Sequence, residues 1–390
     1  MNNIEKTILG VVEEKRHILY FYIISVLALV IRIVGFDFMS NDMSVFLIPW
    51  YNNIKESGGL SSLDTRIGNY NLLYQTLISF MTYLKINCVY LYKMLSILFD
   101  YVLALSIGSF IATYKEKKSF RFEFNVAYTV VLFLPTVVLN SSYWGQCDSI
   151  YTAFLILTLL YLYKEKFTLA FLFFGLGLAF KLQTIFLLPF LLCYYIYKKK
   201  FSILLFGLSL FSFWFSGIIA YMNGRNILDA FRIYQEQADT YHNMWLNVSS
   251  FWVLVGDNYD TLHTGSIIIT IILCGLGLYT ILENKKKLAT MEEYLNTACW
   301  FLWTCLPFLP AMHERYTYAL DLVLLILCFI NKHYIKYAAL SILLSLITYG
   351  SYLFSNGGLD KWHVLLYVFA WGHYTYSIIR LDQKTNPVTE

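Results

Sequence analysis

The chain is poor in charge. Only 14% of its 390 residues are Asp, Glu, Lys or Arg, where an ordinary soluble domain carries roughly 25%. With 58% hydrophobic residues and a mean hydropathy of +0.57, that shortfall excludes a soluble globular protein. Cysteine is equally uninformative as a framework. Cys88, Cys147, Cys193, Cys274, Cys299, Cys305 and Cys328 make an odd set with no Cys-x-x-Cys pair, mostly inside apolar runs. That pattern supports buried thiols, not disulfides or a zinc site. No internal repeat, low-complexity tract or separable soluble domain is visible. The first apolar run is not followed by a small-residue cleavage site, so it reads as a retained anchor. The net charge of +4 does not point to nucleic acid, because the basic residues sit in short loops.

What recurs instead is apolar sequence in runs long enough to cross a bilayer, roughly 20 residues each. The fold class is therefore an all-α polytopic integral membrane protein, a single domain over residues 1–390 with about 12 transmembrane helices (11 to 13). The expected spans are His17–Phe36, Val89–Ala112, Asn125–Asn140, Ser149–Tyr163, Thr168–Phe180, Leu182–Tyr197, Phe201–Tyr221, Ser266–Leu282, Tyr294–Pro310, Tyr316–Ile330, Tyr337–Phe354 and Trp362–Ile379. A cytoplasmic amino terminus puts the basic clusters at Lys115/Lys117/Lys118/Arg121, Lys164/Lys166, Lys198–Lys200, Lys285–Lys287 and Lys332/Lys336 on the inner side. This is the pattern of the positive-inside rule. Tyr70–Lys85 is apolar enough to span, but a lone crossing there would invert the charge pattern downstream. It is expected to lie in the plane of the outer leaflet. The same topology predicts a cell-membrane location with two long outer segments, 37–88 and 222–265.

Four polar clusters then fall on the outer side: Asp37 and Asp42; Trp144, Gln146 and Asp148; Lys181 and Gln183; and His313-Glu314-Arg315-Tyr316. Their convergence predicts a pocket of carboxylates, cations and aromatics. Each has a plainer explanation. The two aspartates can simply solvate a loop, Trp144 can belong to an interfacial belt, and Lys181 can snorkel. Arg315 can pair with Glu314 or with lipid phosphate alone. Arg32 is expected to snorkel, and Lys93, Asp100 and Asp321 to form interhelical structural contacts. His333, His363 and His373 read as structural or interfacial.

The sequence resembles the GT-C membrane glycosyltransferases, most closely the bacterial relatives of the GPI-anchor mannosyltransferase that adds the second mannose. The matching pieces run in order over most of the chain. They are Asn41-Asp42, Pro49-Trp50-Tyr51, Gly58-Gly59, Gly68-Asn69-Tyr70-Asn71, Trp144-Gly145-Gln146-Cys147-Asp148-Ser149-Ile150-Tyr151, Lys181-Leu182-Gln183 with Pro189, Leu246-Asn247 to Trp252, and His313-Glu314-Arg315-Tyr316. The resemblance implies a GT-C-like first outer loop with short in-plane helices and a catalytic Asp at the position of Asp42. It further implies a polyprenyl-phosphate-linked sugar as donor, a lipid-linked or glycan acceptor, and inversion at the sugar's C1.

The chemistry of the residues fits such a reaction. Asp42 would act as base toward the acceptor hydroxyl. Arg315, with Lys181 and His313, would meet the growing charge on the departing phosphate. Asp37, Gln146, Asp148, Gln183, Glu314 and Tyr316 would bind sugar or acceptor, with Trp144 as a stacking face. There is no Asp-x-Asp pair, the usual divalent-metal signature of nucleotide-sugar enzymes, so neither a metal nor another cofactor is expected. Rival readings are a flippase of lipid-linked sugars, a polymerase or ligase of lipid-linked glycans, and a non-catalytic assembly subunit. A flippase would predict two similar halves and charges at mid-membrane.

Overall fold

A computed structural model of the chain describes residues 3–114, 120–283 and 288–385. The basic clusters expected at Lys115/Lys117/Lys118 and Lys285–Lys287 lie outside the described residues. Helices account for nearly all the regular structure. Among the described residues the strands are one parallel pair of two residues each, Trp245–Leu246 with Met312–His313.

Among the described residues, four helices are long and apolar enough to cross a membrane: Leu9–Ile33, Cys88–Tyr114, Tyr259–Glu283 and Lys332–Phe354. A fifth follows if Arg121–Phe133 and Pro135–Trp144, bent by 54°, are counted together. The bend has a local cause, since Pro135 lacks an N–H and forces Leu134 before it into an extended conformation. Several of the other expected crossings fall on apolar helices of 10–17 residues, such as Asp148–Tyr163, Phe167–Phe180 and Leu182–Lys198. The Tyr70–Lys85 stretch yields Leu72–Met81, 10 residues long. At 1.5 Å per residue it is about half the length a hydrocarbon core requires.

The central post is the helix Met291–Phe308, in which every residue from Tyr294 to Phe308 is buried. Its start is set by a capping box: Thr290 Oγ1 accepts from the Glu293 N–H at 3.1 Å and Glu293 Oε2 from the Thr290 N–H at 2.9 Å. Cys88–Tyr114, Asp148–Tyr163 and Tyr318–Ile330 pack with one another in the interior. By contrast, only 11% of the apolar window of Leu9–Ile33 and 17% of that of Tyr259–Glu283 is buried inside the protein. Those two helices form the periphery and present their apolar sides outward.

Buried polar links lock the interior. Arg32, expected to snorkel, does not. Its Nε donates to Asp100 Oδ2 at 2.8 Å with both side chains fully buried, and Ser141 donates to the same oxygen at 2.6 Å. The reason is that Asp100 lies at matching depth on the neighbouring helix, and a guanidinium that finds a buried carboxylate has no need to reach out. Asp321 accepts from Ser341 at 2.5 Å and Ser345 at 2.7 Å, tying Tyr318–Ile330 to Ile335–Phe354. His373 meets the Tyr337 hydroxyl at 2.6 Å, His363 pairs with Asp360 at 2.8 Å, and His333 packs on Tyr334 and Tyr337. Lys93 Nζ donates to the carbonyls of Gly35 (2.7 Å), Phe36 (2.9 Å) and Phe38 (2.6 Å). These carbonyls belong to the turn that follows the first helix, Asn3–Ile33. Lys93 thereby fixes the segment that leads to Asp42.

Candidate active site

Two π-helical turns, uncommon in themselves and frequent at functional sites, open the region where the polar clusters meet. Met43–Leu47 follows Asp42, and Leu139–Trp144 follows the Pro135 bend. Gly145 ends the second turn at φ +73°, and a Cβ there would collide with Met43 Cε. The left-handed conformation is what calls for glycine, while the space beside it is filled by the movable end of the Met43 side chain. Ser40 Oγ donates to the Trp144 carbonyl at 2.9 Å, joining the turns directly.

Asp42 sits at this junction, 9% exposed. Its Oδ2 accepts from Trp144 Nε1 at 2.9 Å and Gln146 Nε2 at 2.6 Å, and its Oδ1 accepts from the Tyr352 hydroxyl. Arg315 Nη1 lies 3.5 Å from Oδ2. A carboxylate offers about four acceptor sites, so this one is held in a single orientation with one site on Oδ1 uncommitted. Gln146 is itself oriented by the Tyr70 hydroxyl, which donates to its Oε1 at 2.9 Å. Trp144 is fully buried, stacked on Tyr352 at 4.5 Å. It belongs to no interfacial belt, and with its face covered it cannot stack on a sugar.

Charges of alternating sign run on from Asp42. Arg315 Nη1 donates to Glu314 Oε1 at 2.7 Å, while its Nε lies 3.7 Å from Asp148 Oδ2. Asp148 Oδ1 accepts from Lys181 Nζ at 2.5 Å and Oδ2 from Asn140 Nδ2 at 2.8 Å. Lys181 is 6% exposed and does not snorkel, because the extended backbone that ends Phe167–Phe180 turns it inward toward Asp148. Arg315 also lies over the Trp144 ring at 5.4 Å.

Burial works against the charge on Arg315, but Glu314, Asp42 and Asp148 outweigh it and hold the group firmly cationic. For Glu314, burial pushes the carboxyl above its usual range while Arg315 opposes the shift. His313 is pushed down to about 3 by burial, reinforced by Arg315 and Lys181. It is neutral at ordinary pH. That shift favours a neutral ring over a cation for phosphate, and the ring packs 4.5 Å from Tyr241.

The second long segment closes over this row. Its helix Asp229–Ala238 turns Tyr234 and Gln237 inward, and its return strand pairs with Met312–His313. The chain beyond is pinned where Pro307 and Pro310 end the central helix. The Phe251 N–H donates to the Pro307 carbonyl at 2.9 Å, and Trp252 Nε1 to the Phe308 carbonyl at 2.8 Å.

Two adjoining open clefts result, about 460 Å³ and 350 Å³ with their mouths included, each enclosing about 50 Å³. The larger is lined by Lys181, Gln183, Tyr234, His313 and Tyr316, the smaller by Asp42, Phe46, Trp50 and Gln146; Asn69, Tyr70, Tyr241 and Arg315 border both. Of the expected site residues, Asp42, Trp144, Gln146, Asp148, Lys181, Gln183, His313, Glu314, Arg315 and Tyr316 come together. Asp37 stands apart: it is exposed, bound to Tyr90 at 2.6 Å, and lines neither cavity. Five residues before Asp42, it leaves the protein before the chain turns inward.

Tyr352, Asn140 and Tyr241 are site residues that sequence reasoning misses. Trp50, Asn69 and Tyr70 lie in the quoted motifs without a role assigned to them there. Among the described residues, no group of three or more His, Cys, Asp or Glu is placed to hold a metal. No family model and no curated protein matches the chain.

Proposed function

We propose that the chain is a membrane glycosyltransferase that moves one hexose from a polyprenyl-phosphate donor to a lipid-linked or glycan acceptor, with inversion at C1. The observation that carries this reading is the row Asp42, Arg315, Asp148, Lys181. A single oriented carboxylate borders one cavity, two cations border the next, and Arg315 belongs to both.

The chemistry runs as a direct displacement. Asp42 takes the proton of the acceptor hydroxyl while that oxygen attacks C1. The bond from C1 to the phosphate oxygen breaks, and the electron pair leaves on the lipid phosphate. The oxocarbenium-like state between them carries positive charge at the sugar, next to Asp42. The charge growing on the phosphate meets Arg315 and Lys181, already held by Asp148, so little reorganisation accompanies the step. General-base help of this kind is typically worth 10²–10⁴-fold.

In the proposed topology the chain crosses the cell membrane about 12 times, with short and broken helices completing the count, the amino terminus cytoplasmic and the site on the outer face. The gathering of the charged row at one end of the bundle favours this reading over a flippase, which would place its polar residues at mid-membrane. The test is transfer of labelled sugar by purified protein, supplied with polyprenyl-phosphate hexoses and candidate glycolipid acceptors, wild type against Asp42→Asn. Wild-type transfer that Asp42→Asn abolishes supports the reading, and wild-type inactivity across the donor set defeats it.

A further inference from the structure

We propose that the smaller cavity is a carbohydrate subsite for the acceptor, with Trp50 as its platform and Asn69 as its polar contact, and that the larger cavity receives the donor's phosphate. This rests on the transferase reading and assigns the two substrates to separate places within it.

The base identifies the acceptor's side. Asp42 borders the smaller cavity and not the larger, so the hydroxyl it deprotonates must enter there. Lys181 borders the larger cavity and not the smaller. An inverting displacement needs nucleophile and leaving group on opposite faces of C1. The rim shared by both cavities, Asn69, Tyr70, Tyr241 and Arg315, is then where C1 passes from one to the other.

The smaller cavity is also built for a sugar ring. Its wall is aromatic, with Trp50 5.7 Å from Phe46 and edge-on to Tyr70 at 5.6 Å. Gly68 fixes the indole: a Cβ there would lie 2.6 Å from Trp50 Cδ2, and the residue stands at φ +75°. That close seat is what a rigid platform requires. The Trp50 indole N–H and the Asn69 amide make no hydrogen bond among the described residues, although both groups border a cavity that holds Asp42. Every other polar side chain facing that cavity apart from Tyr241 is committed to a partner: Asp42, Gln146, Tyr70 and Arg315 bind one another or Glu314. An aromatic face beside a free amide donor and acceptor suits a pyranose, which offers C–H bonds on its face and hydroxyls at its edge.

The experiment measures transfer by the full-length protein while each substrate is varied separately. The donor is a polyprenyl-phosphate hexose and the acceptors are methyl hexosides and disaccharides bearing a lipid tail. Trp50→Ala should raise the KM for acceptor about tenfold with the donor KM unchanged, and Trp50→Phe should recover most of the loss. Lys181→Met should do the reverse, raising the donor KM with the acceptor KM unchanged, and should lower kcat as well. Asn69→Ala, at a partly exposed site, serves the same test if Trp50→Ala does not fold. A rise in donor KM in Trp50→Ala or Asn69→Ala, or no change in either KM, would overturn the assignment. If the wild type transfers no sugar, the transferase reading itself has failed. The subsite is then read by thermal stabilisation with methyl hexosides, which must occur in wild type and be lost in Trp50→Ala; absence of stabilisation overturns it.

Discussion

The phenol of Tyr352 donates its hydrogen to Asp42, although 310 residues separate the two along the chain. The same ring stacks on Trp144, whose indole N–H binds the other carboxylate oxygen. One aromatic pair thus grips both oxygens of the proposed base. A hydrogen bond to a charged group contributes roughly 1.5–3 kcal/mol, and part of that is spent holding Asp42 in line. Tyr352→Phe keeps the stack and removes the donor. Its kcat should fall about tenfold among molecules that remain folded, and its thermal midpoint should drop by no more than the loss of that one hydrogen bond, as measured by transfer assays and unfolding in the same detergent.

Asp148 and Lys181 form a buried pair whose halves depend on each other. Asp148→Asn leaves the Lys181 ammonium, 6% exposed, without its carboxylate, a loss of about 3–5 kcal/mol by the usual cost of breaking a buried pair. The double variant Asp148→Asn/Lys181→Met should recover a good part of the stability and none of the activity. Thermal unfolding of the two variants side by side measures the first half, and the transfer assay the second.

Arg32 and Asp100 provide the contrasting case, a buried pair that lines neither cavity. Asp100→Asn should lower the unfolding midpoint as strongly as Asp148→Asn does. Among molecules that remain folded, the KM values for donor and acceptor should match wild type. A large KM change at equal folded fraction would place Asp100 in the reaction.

His313 makes stability depend on acid. Its ring is held neutral in the folded protein down to about pH 3, whereas in the unfolded chain it takes up a proton near pH 6.5. Between those values the unfolded state binds more protons, so stability falls as pH drops from about 6.5 toward 3. Glu314, with its carboxyl raised by burial, works in the opposite direction. The clean measurement is therefore the difference between wild type and His313→Gln. The variant should lose less stability on acidification, and the activity profile between pH 5 and 7 should show no inflection that His313→Gln removes.

How much of the fold and site is legible in the sequence follows from what each residue needs. Asp42, Gln146, Asp148, Lys181 and Arg315 are polar groups at the ends of apolar runs, and polarity in that setting stands out in the bare amino-acid order. Tyr352 and Tyr241 carry no such signal, being two among 33 tyrosines. Their roles come from the packing of segments far apart in the chain. Asp37 and Asp42 look equivalent because both follow the first helix. Only the turn enforced by Lys93 on the carbonyls of 35, 36 and 38 separates the outward residue from the inward one. Arg32 misleads for a related reason: a basic residue at a helix end snorkels by default, and nothing local shows that Asp100 lies within its reach. Hydropathy is weakest on helix length, since an apolar run does not reveal the break at Pro135 that divides it, whereas the break at Lys181 is marked by its charge.

The central claim is that Asp42 is the base of a sugar transfer, and one measurement tests it most directly. Purified wild type and Asp42→Asn are each supplied with a labelled polyprenyl-phosphate hexose and a glycolipid acceptor, with unfolding midpoints recorded on the same samples. The account predicts that Asp42→Asn, compared at equal folded fraction because it replaces a carboxylate that accepts from Trp144, Gln146 and Tyr352, loses at least 10²-fold in kcat. Full turnover by Asp42→Asn would contradict it.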